Sequence, residues 1–554
     1  MRGVRAVRAP LPLLLAALLL CGCSAQGRAR GMEEVGEVQL PPAAMGMVRF
    51  ALDDFGGLSG ATLETNALPY RLVAAALVME EEARTGGRLG RGDLPRIFGR
   101  FGFMYPERIA NWRGVARPRS DRPLGLVTGM VKGPLPVIRI DAATLGCAAC
   151  HAGTLYDAGG KPTGEAWLGL PNTSLNVDGY VWAVYRGLGR AARDPDALAR
   201  RAAGLFPEMG ARERFTLRRV ILPRVRKRMA ELARTVDAPT PFSNGGPGRT
   251  NGVAALKLQL GLLEAGRMHP EAGFTSIPEL GSRQLRSALL YDGTFAPPGV
   301  DPWAHRRAAE PEPAHLDSLA AIVTFFTVPT MGMHPDQAAR AIPRVREVMQ
   351  WLAHDYAPPP FPGAVDEERA RAGRVLFEAR CASCHGTYDE GSRPRRLVSF
   401  PNTLVPQDSM GTDAARWQAI DPALLARLRG TAYARHVHAR RTGGYVAPVL
   451  SGLWATAPYL HNGSVPTLRH LMTPGARPAR FQVGGHALDY GSVGIAGAPD
   501  AEGTYRYPAG YVPWSLPEVY DTRRPGMGNG GHESPFSGLS EAEKLALIEY
   551  LKGL

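Results

Sequence analysis

The sequence predicts a mainly α chain with extensive loops, folded as two domains. Three observations carry that expectation. Apolar residues recur at helical spacing, most clearly over Tyr70 to Thr85 and Leu316 to Phe326. Between such stretches Gly and Pro are frequent, 65 and 48 of 554 residues, and they punctuate the chain into loops. The run Ala357-Pro-Pro-Pro-Phe-Pro-Gly363 then interrupts it, because consecutive prolines cannot continue a helix and favour an extended form. A chain of this length can bury two substantial cores. The expected division is a leader over 1–22, a first domain over 40–356, a Pro-rich linker over 357–363 and a second domain over 364–554.

Taken in order, the N-terminus reads as an export leader. Arg2, Arg5 and Arg8 form a basic region, and Leu11 to Leu20 form an apolar run too short to span a bilayer. Leu20-Cys21-Gly22-Cys23 resembles the lipobox of bacterial lipoproteins, with Cys23 as the acylated residue and a lipid anchor there. Ser24 beside it resembles the pattern that sends such proteins to the outer membrane. Ordinary cleavage after Ala25 is the competing expectation. Either way the chain is exported, to the periplasm in bacteria. With a formal charge of +14, it suits acidic protein partners or anionic surfaces. It carries no nucleic-acid motif, and export argues against that use.

Tyr70 to Thr85 places Leu72, Val73, Ala76, Leu77 and Met79 on one stripe, which is ordinary core spacing. A loop-rich stretch leads to Cys147-Ala-Ala-Cys150-His151, and Trp167 to Val177 is rich in Gly, Pro and Asn, as a loop wrapping a bound group would be. Arg200 to Val236 is basic and helical in pattern, and Gly245-Gly-Pro-Gly-Arg-Thr-Asn251 breaks it. After the linker, Asp366 caps an expected helix running to Arg380, with Ala370, Gly373 and Phe377 on one face. It leads straight into Cys381-Ala-Ser-Cys384-His385. Ser540-Glu-Ala-Glu543 is a capping box that opens a last helix carrying Leu545, Ile548 and Leu551.

The two Cys-x-x-Cys-His runs carry the chemistry. Two cysteines on one tight turn can each reach a vinyl group of one porphyrin, and the adjacent His then lies under the ring as a proximal iron ligand. The chain has six Cys, two of them in the leader, so all four others are spent on these runs. A shared zinc site would use the cysteines but gives no reason for a His after each pair. The expectation is two covalently attached haem c groups, one in each domain, held by Cys147, Cys150 and His151 and by Cys381, Cys384 and His385. His151 and His385 take the proximal positions. Function then depends on the opposite positions: two strong ligands make an electron carrier, whereas an open position allows oxygen or peroxide chemistry. His461, in Ala457-Pro-Tyr-Leu-His-Asn-Gly-Ser464, and His532, in a Gly-rich approach to the last helix, stand out as further ligands. Met527 is a thioether alternative. Arg249 could reach a haem propionate.

The helix before Cys381 and the terminal helix resemble the crossed helices of class I cytochrome c, with Gly373 admitting an aromatic such as Tyr550. More widely, Ala457 to Ser464 with Leu453-Trp454, Gly246-Pro-Gly-Arg-Thr-Asn251, Pro358-Pro-Pro-Phe-Pro362 and the ending at His532 and Leu539 resemble the bacterial di-haem cytochrome c peroxidase superfamily. They look closest to its rubber oxygenase branch. The resemblance implies two cytochrome c-type haem domains. It implies a six-coordinate C-terminal haem that handles electrons, with His532 by position as distal ligand before Met527 and His461, and His461 orienting the haem. It implies a reactive N-terminal haem whose distal pocket is lined by a Phe, here Phe295 or Phe274, with Glu279 and Glu271 as the carboxylates that would instead serve peroxidase chemistry. The implied partners are a small redox protein and peroxide, dioxygen or an organic substrate, in the oxygenase case a long alkene. A non-catalytic electron carrier is the remaining alternative. Calcium between the domains occurs in the superfamily, without a recognisable ligand loop here. Pro278-Glu-Leu-Gly281 lacks the Trp that the family places between its haems.

Overall fold

The computed structural model describes residues 27–554 except 37, 60–61, 63–66, 115–120, 133–137, 192, 236–240, 265–266, 309–311 and 331. The expected leader and Cys23 lie outside the described residues. Helix exceeds strand, 41% against 15%, with extensive loops. No described helix is long and apolar enough to cross a membrane.

Local sequence sets most helix ends. Tyr70–Thr85 is one helix that stops at Gly86 in the left-handed conformation. The buried helix expected at Leu316 to Phe326 spans Pro313–Thr330. The stretch expected as one basic helix is broken: Pro195–Leu205 ends before a turn, and Ala211–Thr216 continues through a π turn at Leu217–Ile221 into Leu222–Thr235. Val236 lies outside the described residues.

Three apolar cores organise the chain. One buries Tyr70–Thr85 against the antiparallel strands Leu126–Lys132 and Arg139–Leu145 and the helix Val177–Ala191. A second packs Pro42–Leu52, Pro313–Thr330 and Ile342–His354 together, and Leu424, Leu428 and Tyr433 join it. The third lies between Glu367–Arg380 and Glu541–Lys552, and Tyr156, Phe274 and Leu285 join it. Short strands tie the halves further. Ala296 pairs with His438 and Phe295 with Ala439, and Arg306 pairs with Phe400. Packing therefore crosses the 357–363 segment in both directions. That segment is extended and clasped: the Trp167 indole donates to the Ala357 carbonyl at 3.1 Å and the Trp454 indole to the Pro359 carbonyl at 3.2 Å.

The terminal helices cross as their sequences require. Asp366 accepts from the Glu368 and Arg369 amides at 3.1 and 3.0 Å, and Ser540 with Glu543 closes a full capping box. A methyl on Gly373 would stand 2.0 Å from the Ala546 carbonyl oxygen, so glycine is what lets the two backbones meet. Gly373 faces Ala546, and Tyr550 packs one turn away on Phe377, ring centroids 5.1 Å apart.

Candidate haem sites

Both Cys-x-x-Cys-His runs form single helical turns, at Cys147–Cys150 and Ala382–His385. None of the four thiols is in a disulfide. In the first, Gly125 at φ +78° passes so close that a methyl there would lie 1.9 Å from the Ala149 nitrogen. The chain then makes a hairpin, Ala152–Tyr156 with Pro162–Leu168, and returns to pin the turn. The Gly169 amide donates to the His151 carbonyl at 2.8 Å, and the Asn172 amide to the Cys150 carbonyl at 2.7 Å. The loop expected to wrap the site is thus a clamp on its backbone.

The two histidines are held alike. His151 Nδ1 lies 3.1 Å from the Pro278 carbonyl oxygen, and His385 Nδ1 lies 2.9 Å from the Pro448 carbonyl oxygen. Each contact makes Nδ1 the donor and leaves Nε2 as the ligating nitrogen. Burial holds both imidazoles neutral: it lowers His385, and it lowers His151 to about 4 with the help of the nearby Arg283 cation. A neutral ring is the ligating form. Neither carbonyl was expected from sequence, since a main-chain acceptor has no residue signature.

The sites differ on the far side. His532 faces His385, ring centroids 6.0 Å apart at 58°. Two imidazoles sharing one metal ion at ~2 Å per bond would have centroids about 6 Å apart. The direction of His532 is set by a positive φ of 55° and by its amide, which donates to the Met410 carbonyl at 2.8 Å. Its Nδ1 is buried without a partner. Met527 is buried at 1% exposure in the C-terminal core, and its carbonyl accepts from the Tyr520 hydroxyl at 3.1 Å. His461 stacks on Tyr445 at 4.2 Å, and burial lowers it to about 3. Its carbonyl accepts from the Ser276 amide at 2.8 Å.

Around His151 the expected residues separate. Phe295 is fully buried, edge-on to Phe325 at 5.1 Å, in the same apolar core that Cys147 packs against. Phe274 lies elsewhere, in the C-terminal core beside Gly245. Glu271 is engaged by Lys257 at 3.0 Å. Glu279 directly follows Pro278, whose carbonyl oxygen meets the His151 ring. It accepts from the Tyr356 hydroxyl at 2.6 Å and the Gly281 amide at 2.7 Å, and burial still pushes it up to about 7.

The donor set fits covalent haem. Free thiol pairs, neutral imidazoles with Nε2 unspent and buried cationic groups with spare hydrogens are what that group needs. Arg249 is 2% exposed, lies over the Tyr520 ring at 4.5 Å and donates through Nε to the Gly245 carbonyl at 2.7 Å. Its Nη1 has no partner, and neither has Nε of Arg283, which donates through Nη2 to the Glu279 carbonyl. Such orphaned buried donors suit propionate carboxylates. Sequence reading also missed Arg416, paired with Asp292 at 2.9 Å where neither side chain is more than 2% exposed. Among the described residues no cluster of three His, Cys, Asp or Glu side chains is placed to hold a metal ion, calcium included.

Residues 444–482, which include His461, match the family model described as RoxA-like, cytochrome c-like. Two proteins of Sinorhizobium fredii are similar to larger parts of the chain. The uncharacterized protein y4iM is 28% identical over 319 residues, 51% of this chain and 66% of its own length. The uncharacterized protein y4iJ is 29% identical over 261 residues, 36% of this chain and 41% of its own length. The match covers less than two thirds of either relative. The region around His461 is thus RoxA-like and cytochrome c-like, which supports a covalent haem c and a haem-dependent oxidoreductase or electron-transfer role.

Proposed function

We propose that the chain is an exported di-haem c-type cytochrome oxidoreductase, in which the haem at His385 carries electrons and the haem at His151 is the site of peroxide or dioxygen chemistry. One asymmetry carries the reading. Both histidines are held by a proline carbonyl, but among the described residues only His385 faces a second imidazole, His532. Haem c held at these residues would supply the redox chemistry. The chain's own residues do the rest. The carbonyls of Pro278 and Pro448 fix each proximal ring, and Arg249 and Arg283 offer unspent donors to carboxylates. Phe295 and its neighbours keep the first pocket apolar and exclude water.

Within this reading, an oxygenase acting on an apolar substrate such as a long alkene is favoured over a peroxidase. The specific observation is that Glu279 is engaged by the Tyr356 hydroxyl and Glu271 is paired to Lys257, while Phe295 is surrounded by apolar side chains. The reading takes in a small redox protein as partner, and a periplasmic location with the chain anchored to the outer membrane through Cys23.

Electron paramagnetic resonance of the ferric protein tests it. One low-spin and one high-spin signal are expected, with the high-spin signal altered by cyanide. Two low-spin signals indifferent to peroxide, cyanide and, after reduction, carbon monoxide would leave only the electron carrier. If one haem is high-spin, polyisoprene cleavage against peroxide turnover with a reduced cytochrome separates the two enzymes.

A further inference from the structure

A cavity of about 890 Å3 lies between the helices Val177–Ala191 and Leu222–Thr235, far from either histidine site in its chemistry. Its charged lining is entirely basic: Arg186, Arg190 and Arg193 on one side, Arg226 and Lys227 on the other, with Met229 at the base. Glu80 neutralises part of this charge through Arg186 and Arg190, and Glu231 through Lys227. Arg193 and Arg226 have no ion-pair partner among the described residues. The same helical run bears Arg218, Arg219 and Arg224, and Phe215 is 48% exposed at its start. A basic face with an apolar residue beside it is the composition of a segment that lies on anionic headgroups.

The first described residues are linked to the same helical run through two strands. Gly27 donates to the Leu58 carbonyl and sits beside Val131, and Val131 pairs with Ile140. Next to Ile140, the Arg139 amide donates to the Thr216 hydroxyl at 3.1 Å, and the Asp141 amide to Glu213 at 3.3 Å. Arg30 is ion-paired to the same Asp141 at 3.2 Å. Cys23 is four residues before Gly27, a reach of at most about 14 Å. Thr216 and Arg226 are ten residues apart on one helical run, about 15 Å. An acyl anchor at Cys23 would hold this basic face against the lipid.

We propose that the groove between Val177–Ala191 and Leu222–Thr235 binds the phosphate-bearing headgroups of anionic lipids and docks this face of the protein on the membrane. The proposal is independent of the redox reading and rests on the expected anchor only for its orientation. A lipid anchor would hold the chain at the bilayer, and a basic patch adds electrostatic attraction specific to anionic headgroups.

The haem-loaded chain exported with Cys23→Ser, so that acyl chains play no part, is the protein to use. It is sedimented with phosphatidylcholine vesicles with and without phosphatidylglycerol, at low and high salt. Binding only to the anionic vesicles, lost in high salt, is expected. The triple reversal Arg193→Glu, Arg226→Glu, Lys227→Glu should weaken it about tenfold or more. The matched reversal Arg369→Glu, Arg371→Glu, Arg374→Glu on the opposite half should weaken it far less. An unchanged haem spectrum and melting temperature check that both variants are folded. No binding to anionic vesicles, or equal loss in the two triple variants, overturns the proposal. Vesicle binding indifferent to the groove reversal, with capture of an acidic redox protein abolished by it, overturns it in favour of a protein partner.

Discussion

His532 earns its place through backbone conformation. A non-glycine residue at φ 55° is uncommon, and this one turns an imidazole toward His385. If His532 ligates the proposed C-terminal haem, His532→Ala should convert its low-spin signal to high-spin and let it bind carbon monoxide, whereas Met527→Leu should leave that signal unchanged; paramagnetic resonance and optical titration read both. Glu279 makes a different test. Burial raises its carboxyl from the usual value of 4.5 to about 7, so between those values the folded chain keeps a proton that the unfolded chain has lost. Its contribution is complete below about pH 4.5 and declines as pH rises through 7, by at most about 3 kcal/mol. The melting temperature of the native protein should therefore fall relative to Glu279→Gln over that window, and a parallel pair of pH profiles would contradict it. Asp292→Asn should cost about 3–5 kcal/mol in chemical denaturation, because it leaves Arg416 buried without its counter-charge. At this scale the two thiol pairs, each followed by a histidine on the same tight turn, were legible, since the expected attachment chemistry demands those residue types at that spacing. The carbonyls of Pro278 and Pro448 that hold the two rings were not, because a main-chain acceptor has no residue signature.

Among the elements, those governed by local rules were the readable ones. Asp366 and Ser540 announce their helices because a side-chain oxygen is needed to take up the first free amides. Gly373 announced a close crossing, though the backbone it meets is that of Ala546. Gly373→Ala should lower stability by about 1–3 kcal/mol by thermal melting, the range for forcing a methyl into a packed contact, with the C-terminal haem signal broadened. The break before Ala211 and the π turn at Leu217–Ile221 escaped notice, since the apolar and basic residues keep helical spacing across both. The Phe274 and Phe295 pair illustrates the same limit. Both are Phe in similar loop sequence, and only long-range packing sends one to each core.

Over the whole molecule, buried titrating groups pull in opposite directions. His486 is lowered to about 4 by burial, so the stability it contributes is present above about pH 6.5 and is lost as pH falls toward 4. Asp54, raised to about 6, acts with Glu279 in the other direction. His486 thus offsets part of the decline that Asp54 and Glu279 impose as pH rises, and replacing it by Gln should make the melting temperature fall more steeply between about pH 4.5 and 6.5. The proline run Ala357 to Gly363 was readable as an interruption. That Trp167 and Trp454 would clasp it was not, because an indole donating to a distant carbonyl leaves no local trace.

The strands that cross this segment bear on how the protein is made. Phe295 finds its partner only when Ala439 has been delivered, and Phe325 touches Tyr433 only then as well. A chain threaded through a translocase N-terminus first presents Cys147 and Cys150 long before those partners emerge. If the chain is exported as proposed, the thiols would be open to haem attachment throughout that interval, before residues 420–439 complete the apolar core that Cys147 packs against. Contacts so distant in sequence also make the final closure slow. A gene cut at the prolines would yield two fragments that each expose half of a shared core, and co-translocating both would restore what neither forms alone.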